Sequence, residues 1–142
     1  RVAWALRRAD LTLQGTKERP LRELGVPSSH YSVLDSLQTT PGLTGAELAR
    51  LMGVTPQAVA LLVAKLAERG WVERRAHPRH RIVQELHLTD AGRHELTRAE
   101  LVVTDLEQHI RDSLGPERYR QLKELLGQVI DDLSHWEFPV AD

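Results

Sequence analysis

The sequence contains no cysteine. That removes a disulfide framework, Cys-ligated zinc or iron–sulfur centres and thiol redox sensing. Aromatic residues make up only 4%, while Leu, Ala, Arg and Glu dominate, a balance that favours helix. No stretch approaches the roughly 18–20 consecutive apolar residues of a membrane span, so no membrane partner is expected. The chain also lacks a glycine-rich phosphate loop, a nucleophile elbow and a plausible pair of catalytic carboxylates. Asp131 and Asp132 are adjacent on a predicted helix and face different ways. An enzyme is therefore not expected. The seven histidines are scattered, and nothing makes three or four of them converge as zinc requires. Neither a metal nor another cofactor is expected. The sequence starts at Arg1 without an initiator Met, nothing in it resembles a signal peptide, and the cytoplasm is the expected compartment.

What is present reads as one soluble domain over residues 1–142, with 41% apolar and 27% charged residues. Net charge is −1, which by itself argues against a nucleic-acid partner. The distribution reverses that reading. Residues 1–64 carry +2, residues 65–81 carry +4 and residues 82–142 carry −7. A short basic surface sits on an acidic body.

Periodicity orders the elements. Val2, Leu6, Ala9 and Leu13 mark a first helix; Gly15 weakens the helical signal beyond it, and Pro20 and Gly25-Val26-Pro27 are expected to break or kink the chain. Ser28 or Ser29 is the expected cap of a second helix burying Tyr31, Leu34 and Leu37. Thr44 with Glu47 reads as a capping box opening a short helix that stops at Gly53. Thr55-Pro56 opens another, running to Gly70. Residues 71–74 and 82–88 then suggest a two-stranded ribbon, with Ile82, Gln84, Leu86 and Leu88 on one face. Thr89-Asp90 caps a long helix. After Gly115-Pro116, a last helix carries Tyr119, Leu122, Leu126, Val129, Leu133 and Trp136 as a coiled-coil-type seam.

Two helices joined by a tight glycine turn and followed by a ribbon define a winged helix-turn-helix. The fold class is thus mainly α with a small β-ribbon. Residues 28–88 form the expected DNA-binding lobe, and residues 1–24 and 89–142 a flanking helical region. The helix from Pro56 would enter a major groove with its N-terminus toward the bases. Thr55 and Gln57 lie there, Gln being suited to adenine and Thr to a phosphate or thymine methyl. Lys65 lies two turns on, at phosphate height. Arg74, Arg75, Arg79 and Arg81 fall within eight positions of the ribbon, where arginine suits a narrow minor groove. The helix N-termini at Thr44 and Thr55 offer free N–H groups to phosphate.

The run "TGAELARLMGVTPQAVALLVAKLAERGWVERRAHPRHRIVQELHLTDAG" resembles the MarR family of bacterial transcription regulators, and "LGVPSSHYSVLDSL" is similar to that family's second helix. The resemblance implies a cytoplasmic homodimer joined by the N-terminal and last two helices. It further implies binding to a pseudo-palindromic operator on double-stranded DNA, and repression relieved by a small aromatic or phenolic ligand. By the same resemblance, Trp4, Arg8, His30 and Tyr31 are candidates for the ligand pocket; packing in the interface or core would account for the aromatics equally. Two departures stand out. The family's usual wing, Asp-Pro-Arg-Asp-Arg-Arg, is here His77-Pro78-Arg79-His80-Arg81-Ile82, which leaves open which of Arg79 and Arg81 enters the minor groove. Ala60-Leu61 stands where many members carry a hydroxyl residue followed by a basic one; either Leu61 touches a thymine methyl or the helix reads fewer bases directly. His77 and His80 either face water or, when protonated, add positive charge and tighten DNA binding at low pH. The alternative from another class is a winged-helix protein–protein interaction module without a specific DNA site.

Overall fold

The computed structural model describes residues 1–80 and 82–139. Its elements are α1 (Val2–Glu23), α2 (Ser28–Thr39), β1 (Leu43–Thr44), α3 (Gly45–Met52), α4 (Pro56–Glu68), β2 (Val72–Ala76), β3 (Gln84–Leu88), α5 (Asp90–Leu114) and α6 (Pro116–His135). The chain forms two compact units, Arg1–Val103 and Thr104–Asp142.

The first unit is the winged helix-turn-helix. Its core is almost purely aliphatic: Leu21, Val26, Val33, Leu34, Leu37, Leu48, Val59 and Leu66 are essentially inaccessible, with Trp71, Leu86, Leu88 and Leu96 nearly so. Because Leu21, Leu96 and Ala99 belong to that core, the unit takes in α1 and the start of α5. It thereby extends past residues 28–88 on both sides. The break between the first two helices falls at Gly25-Val26-Pro27, as expected, but Pro20 does not break α1. The helix runs through Gly15 and Pro20 to Glu23. Proline inside a helix costs about 3 kcal/mol, and complete burial of Leu21 and Val26 just beyond it, worth about 1.5–3 kcal/mol each, offsets that cost. The second helix starts at Ser28 behind Pro27, with no side-chain cap. The Ser28 hydroxyl instead donates to Gln14 Oε1 of α1 at 3.2 Å.

The sheet has three strands in the order β1-β3-β2, all antiparallel. The two-residue β1, too short to show as periodicity, pairs Leu43 with Leu86 and Thr44 with Glu85. Strand β2 pairs Val72 with Leu88 through to Ala76 with Gln84. Ile82 falls outside β3 and is 96% exposed, so it does not share the buried face of Leu86 and Leu88.

At the wing's base, Gly92 lies against the Trp71 backbone. A Cβ there would overlap the Trp71 carbonyl oxygen and sit 2.9 Å from its carbon. The same carbonyl accepts the Thr89 N–H at 3.1 Å. The Thr89 hydroxyl donates to Gly70 O at 2.5 Å and accepts the Gly92 N–H at 3.0 Å. The "LTDAG" glycine is thus a packing requirement.

The second unit is a helical hairpin turning at Gly115 (φ +79°), with Pro116 in the first turn of α6. Tyr119 donates to Glu107 Oε2 at 2.5 Å beneath the Arg111 guanidinium. No residue of α6 is buried; Leu122, Leu125, Leu126, Ile130, Leu133 and Trp136 are 37–67% exposed. Among the described residues, no single helix is long and apolar enough to cross a membrane.

Candidate nucleic-acid interface

The helix-turn-helix geometry follows from local chemistry. Thr44 caps α3 by accepting the Glu47 N–H at 3.2 Å, while Glu47 Oε2 accepts the Thr44 N–H at 2.8 Å. Those bonds hold the Glu47 carboxyl below its usual pKa. They also place a carboxylate at the α3 N-terminus, the position a phosphate would seek. Gly53 ends α3 in the left-handed region at φ +66°, where a glycine carries no Cβ penalty. The Thr55 hydroxyl then accepts the Ala58 N–H at 3.1 Å, and Pro56 sits in the first turn of α4. The axis bends by 111° between α3 and α4, within the range that helix-turn-helix motifs use.

Helix α4 is two-faced. Val59, Val63 and Leu66 are buried, whereas Pro56, Gln57, Ala60, Leu61, Ala64 and Lys65 are exposed. Its C-terminal end is clamped. Arg69 donates to Gly25 O at 2.7 Å and to His30 Nδ1 at 3.2 Å, and its guanidinium lies 3.5 Å from the Trp71 ring centroid. Burial, with Arg69 and Lys65 nearby, holds the His30 pKa below the ordinary value near 6.5. Sequence reading assigned Arg69 no role; its place one residue after α4, two before a tryptophan, is the only signal it carries.

The ribbon beside α4 supplies the other cations. Arg74 and Arg75 point to opposite faces of β2, by strand alternation. Arg75 pairs with Glu73. Arg74 faces an open cleft of about 390 Å³ between the N-terminal ends of α3 and α4 and the wing, whose walls include Gly45, Pro56, Ala60 and Val83. Arg79 is exposed at the tip, and its N–H donates to His77 Nδ1 at 3.1 Å. His77 stands 3.9 Å from Glu85 Oε1, and His87 lies 3.0 Å from Glu85 Oε2. His77 is thus engaged in the wing's own network, whereas His80 is exposed with its ring 5.3 Å from that of His77. Arg81 lies outside the described residues.

Of the residues expected at the DNA surface, Thr44, Ala60 and Arg74 line the cleft together, while Thr55, Gln57, Leu61, Lys65, Arg75 and Arg79 are exposed. The four ligand-pocket candidates separate into two groups. Trp4 and Arg8 stack on each other at 4.9 Å on exposed α1. Tyr31 is buried beside Lys17, whose ammonium lies 5.4 Å from its ring centroid. Lys17 follows Trp4 by thirteen positions on one helix, about 20 Å along the axis. Trp4 is thus far along α1 from the residue that packs on Tyr31, while His30 contacts Arg69. Burial, then Asp35 and Glu100, raise the Tyr31 pKa to about 12.

A capped, 111°-bent helix pair, an outward-facing second helix and a basic antiparallel wing define a winged helix-turn-helix of the transcription-regulator class. The comparisons with known proteins are specific. Residues 24–81 match the MarR family model. The chain is 31% identical over 131 residues to the HTH-type transcriptional repressor Rv2887 of Mycobacterium tuberculosis, covering 92% of this chain and 94% of that protein. Its fold matches the transcriptional repressor CouR bound to a 23-mer DNA duplex, with TM-score 0.80, 27% identity and 92% of each chain covered. It also matches Rv2887 in complex with salicylic acid, with TM-score 0.76, 31% identity and 91% and 96% of the two chains covered. This chain belongs to the MarR family.

Proposed function

We propose that this protein is a homodimeric, sequence-specific DNA-binding repressor whose operator is released by a small aromatic acid or phenol. The observation that carries the reading is the α4 surface. Its N-terminal half projects Gln57, Ala60 and Leu61 to solvent between the Thr55 cap and Arg74, beside a wing tip bearing Arg79. Gln57 offers an amide suited to adenine N6 and N7. Lys65, Arg75 and Arg79 neutralise phosphate, and the wing tip probes the adjacent minor groove. The CouR complex with a DNA duplex supports DNA binding by this fold.

Dimerisation rests on apolar surface that water does not favour. Trp4 and Leu11 on α1, five apolar residues of α6 and Trp136 just beyond it are at least one-third exposed. A second copy covering them gives a two-fold dimer, and with it two α4 helices about one DNA turn, roughly 34 Å, apart.

The Arg74 cleft is the effector site we favour. Its volume suits a small ligand, its walls are largely apolar, and its guanidinium offers a carboxylate two parallel N–H donors. The salicylic acid complex of Rv2887 supports that ligand class. Ala60 of the recognition helix lines the cleft, so a ligand seated there competes with DNA for the same surface.

The test of DNA binding is a gel shift with the protein's own upstream DNA at two salt concentrations. A specific regulator gives one preferred fragment and a steep salt dependence. Equal, weak and salt-insensitive binding to all fragments refutes the reading and favours a protein–protein interaction module. Salicylate titrated without DNA tests the cleft: binding is expected, and Arg74→Ala should abolish it.

A further inference from the structure

The base-facing surface of α4 has little with which to hydrogen-bond a base. On its exposed side, Pro56, Ala60, Leu61 and Ala64 surround one amide, Gln57. Lys65 and Glu68 lie beyond, toward the C-terminal end. No arginine on this face presents the fork that recognises guanine. The largest apolar group is Leu61, 67% exposed. The core does not need it, since Val59, Val63 and Leu66 fill the opposite face. Leu61 follows Gln57 by four residues, so the two share one stripe of the helix.

We infer that Leu61 is a specificity-determining residue that reads a thymine through its C5-methyl group, making this an operator defined by a methyl contact as much as by hydrogen bonds. The inference rests on the DNA-binding reading above. The thymine methyl is the one apolar group that the major groove presents. Against an aliphatic side chain it leaves water, whereas cytosine at the same place buries its N4 amino group against hydrocarbon. The small side chains of Ala60 and Ala64 leave the Leu61 isobutyl group room to reach the groove floor. Four residues along a helix is about 6 Å and stacked bases are about 3.4 Å apart. The thymine therefore lies about two base pairs from the adenine that Gln57 reads.

The experiment begins with selection from a library of random duplexes about 30 base pairs long, enough to span two half-sites one helical turn apart, so that the protein itself picks out the sequence it prefers. Each thymine of the selected duplex is then replaced by deoxyuridine, which removes only the methyl group. One position in each half-site should respond, with affinity falling about fourfold per methyl and about fifteenfold when both are removed, the size expected for exposing one methyl each. Leu61→Ala should bind the thymine and deoxyuridine duplexes equally, whereas Gln57→Ala should retain the methyl effect. Because Leu61 is exposed, the Leu61→Ala variant should keep the wild-type melting temperature. If a sequence is selected but no deoxyuridine weakens binding, or if Leu61→Ala keeps the difference, the methyl contact is refuted while the DNA-binding reading stands. If no sequence is selected, the DNA-binding reading itself falls.

Discussion

Gly92→Ala should destabilise this protein although alanine is the better helix former. The two effects have opposite signs. Replacing a helical glycine by alanine gains at most about 0.8–1.0 kcal/mol. At Gly92, however, the added methyl overlaps the Trp71 carbonyl oxygen and lies 2.9 Å and 3.2 Å from the Trp71 carbonyl carbon and Cα. These are backbone atoms and cannot swing aside like the end of a flexible side chain. Overpacking of this kind costs about 1–3 kcal/mol. The displaced carbonyl also strains its bond from Thr89 N–H, worth about 1 kcal/mol. The sum is a net loss of about 2 kcal/mol, or roughly 4–8 °C in melting temperature for a chain of this length. Gly15 is the control. It is helical and exposed, and a Cβ there would meet nothing within 4 Å. Gly15→Ala should raise stability by about 0.5–1 kcal/mol. Thermal melts at one fixed protein concentration decide the matter, because an oligomer's midpoint depends on concentration. The steric argument is refuted if Gly92→Ala melts at or above wild type. Since Trp71 leads directly into β2, the variant should also bind DNA more weakly at temperatures where it remains folded.

Three further outcomes are expected. The folded state holds the His30 pKa below the unfolded value near 6.5, through burial, Arg69 and Lys65; the resulting stability is fully present above pH 6.5 and is lost as pH falls through the lowered value, so urea midpoints at pH 7.5 and 5 should differ less in His30→Gln than in wild type. For Tyr31 the sign is reversed. Its pKa is raised to about 12, so its contribution is intact below pH 10 and is lost between about pH 10 and 12, and Tyr31→Phe should remove one proton's worth of alkaline destabilisation. Lys65→Ala should weaken binding to all DNA sequences alike and reduce the salt-dependence slope by about one unit, measured by anisotropy across a salt series.

Much of this molecule is legible in its sequence, for identifiable reasons. The Thr44/Glu47 capping box and the Thr55-Pro56 helix start are local devices, satisfied within four residues, and local chemistry specifies them. The wing's β1 strand is not local. It consists of two residues whose partners lie some forty positions away, and no periodicity announces it. Helix α1 passes through Pro20 because Leu21 and Val26 are buried by distant residues, which a reading of propensities does not see. The same applies at the interface. Composition places the basic maximum at residues 65–81, yet it does not distinguish Arg74, which faces a cleft, from Arg75, which pairs with Glu73. Nor does it show that Trp4 stacks with Arg8 while Tyr31 packs beside Lys17, since those partners follow from helix geometry and not from residue type.

The clamp on the C-terminal end of α4 bears on how DNA is released. Arg69 ties that end to Gly25 O and His30 and stacks on Trp71, while Gly53 and Thr55 fix the other end. A helix held at both ends and buried along Val59, Val63 and Leu66 does not rotate within its lobe at low cost. On the function proposed above, two routes to release remain: a ligand occupying the Arg74 cleft, or a change in the spacing of the two lobes of the proposed dimer. Arg69→Ala should separate fixed orientation from simple charge. Losing one exposed cation alone weakens specific and non-specific binding equally. Losing the clamp lets α4 wander, which penalises base contacts that need exact register and spares phosphate contacts that do not. The ratio of specific to non-specific affinity should therefore fall severalfold in Arg69→Ala. Arg69→Lys should rescue it poorly, because an ammonium has neither the planar face that stacks on Trp71 nor the fork that reaches two acceptors. A uniform loss across both kinds of DNA, or full rescue by lysine, would show that Arg69 acts only as a charge.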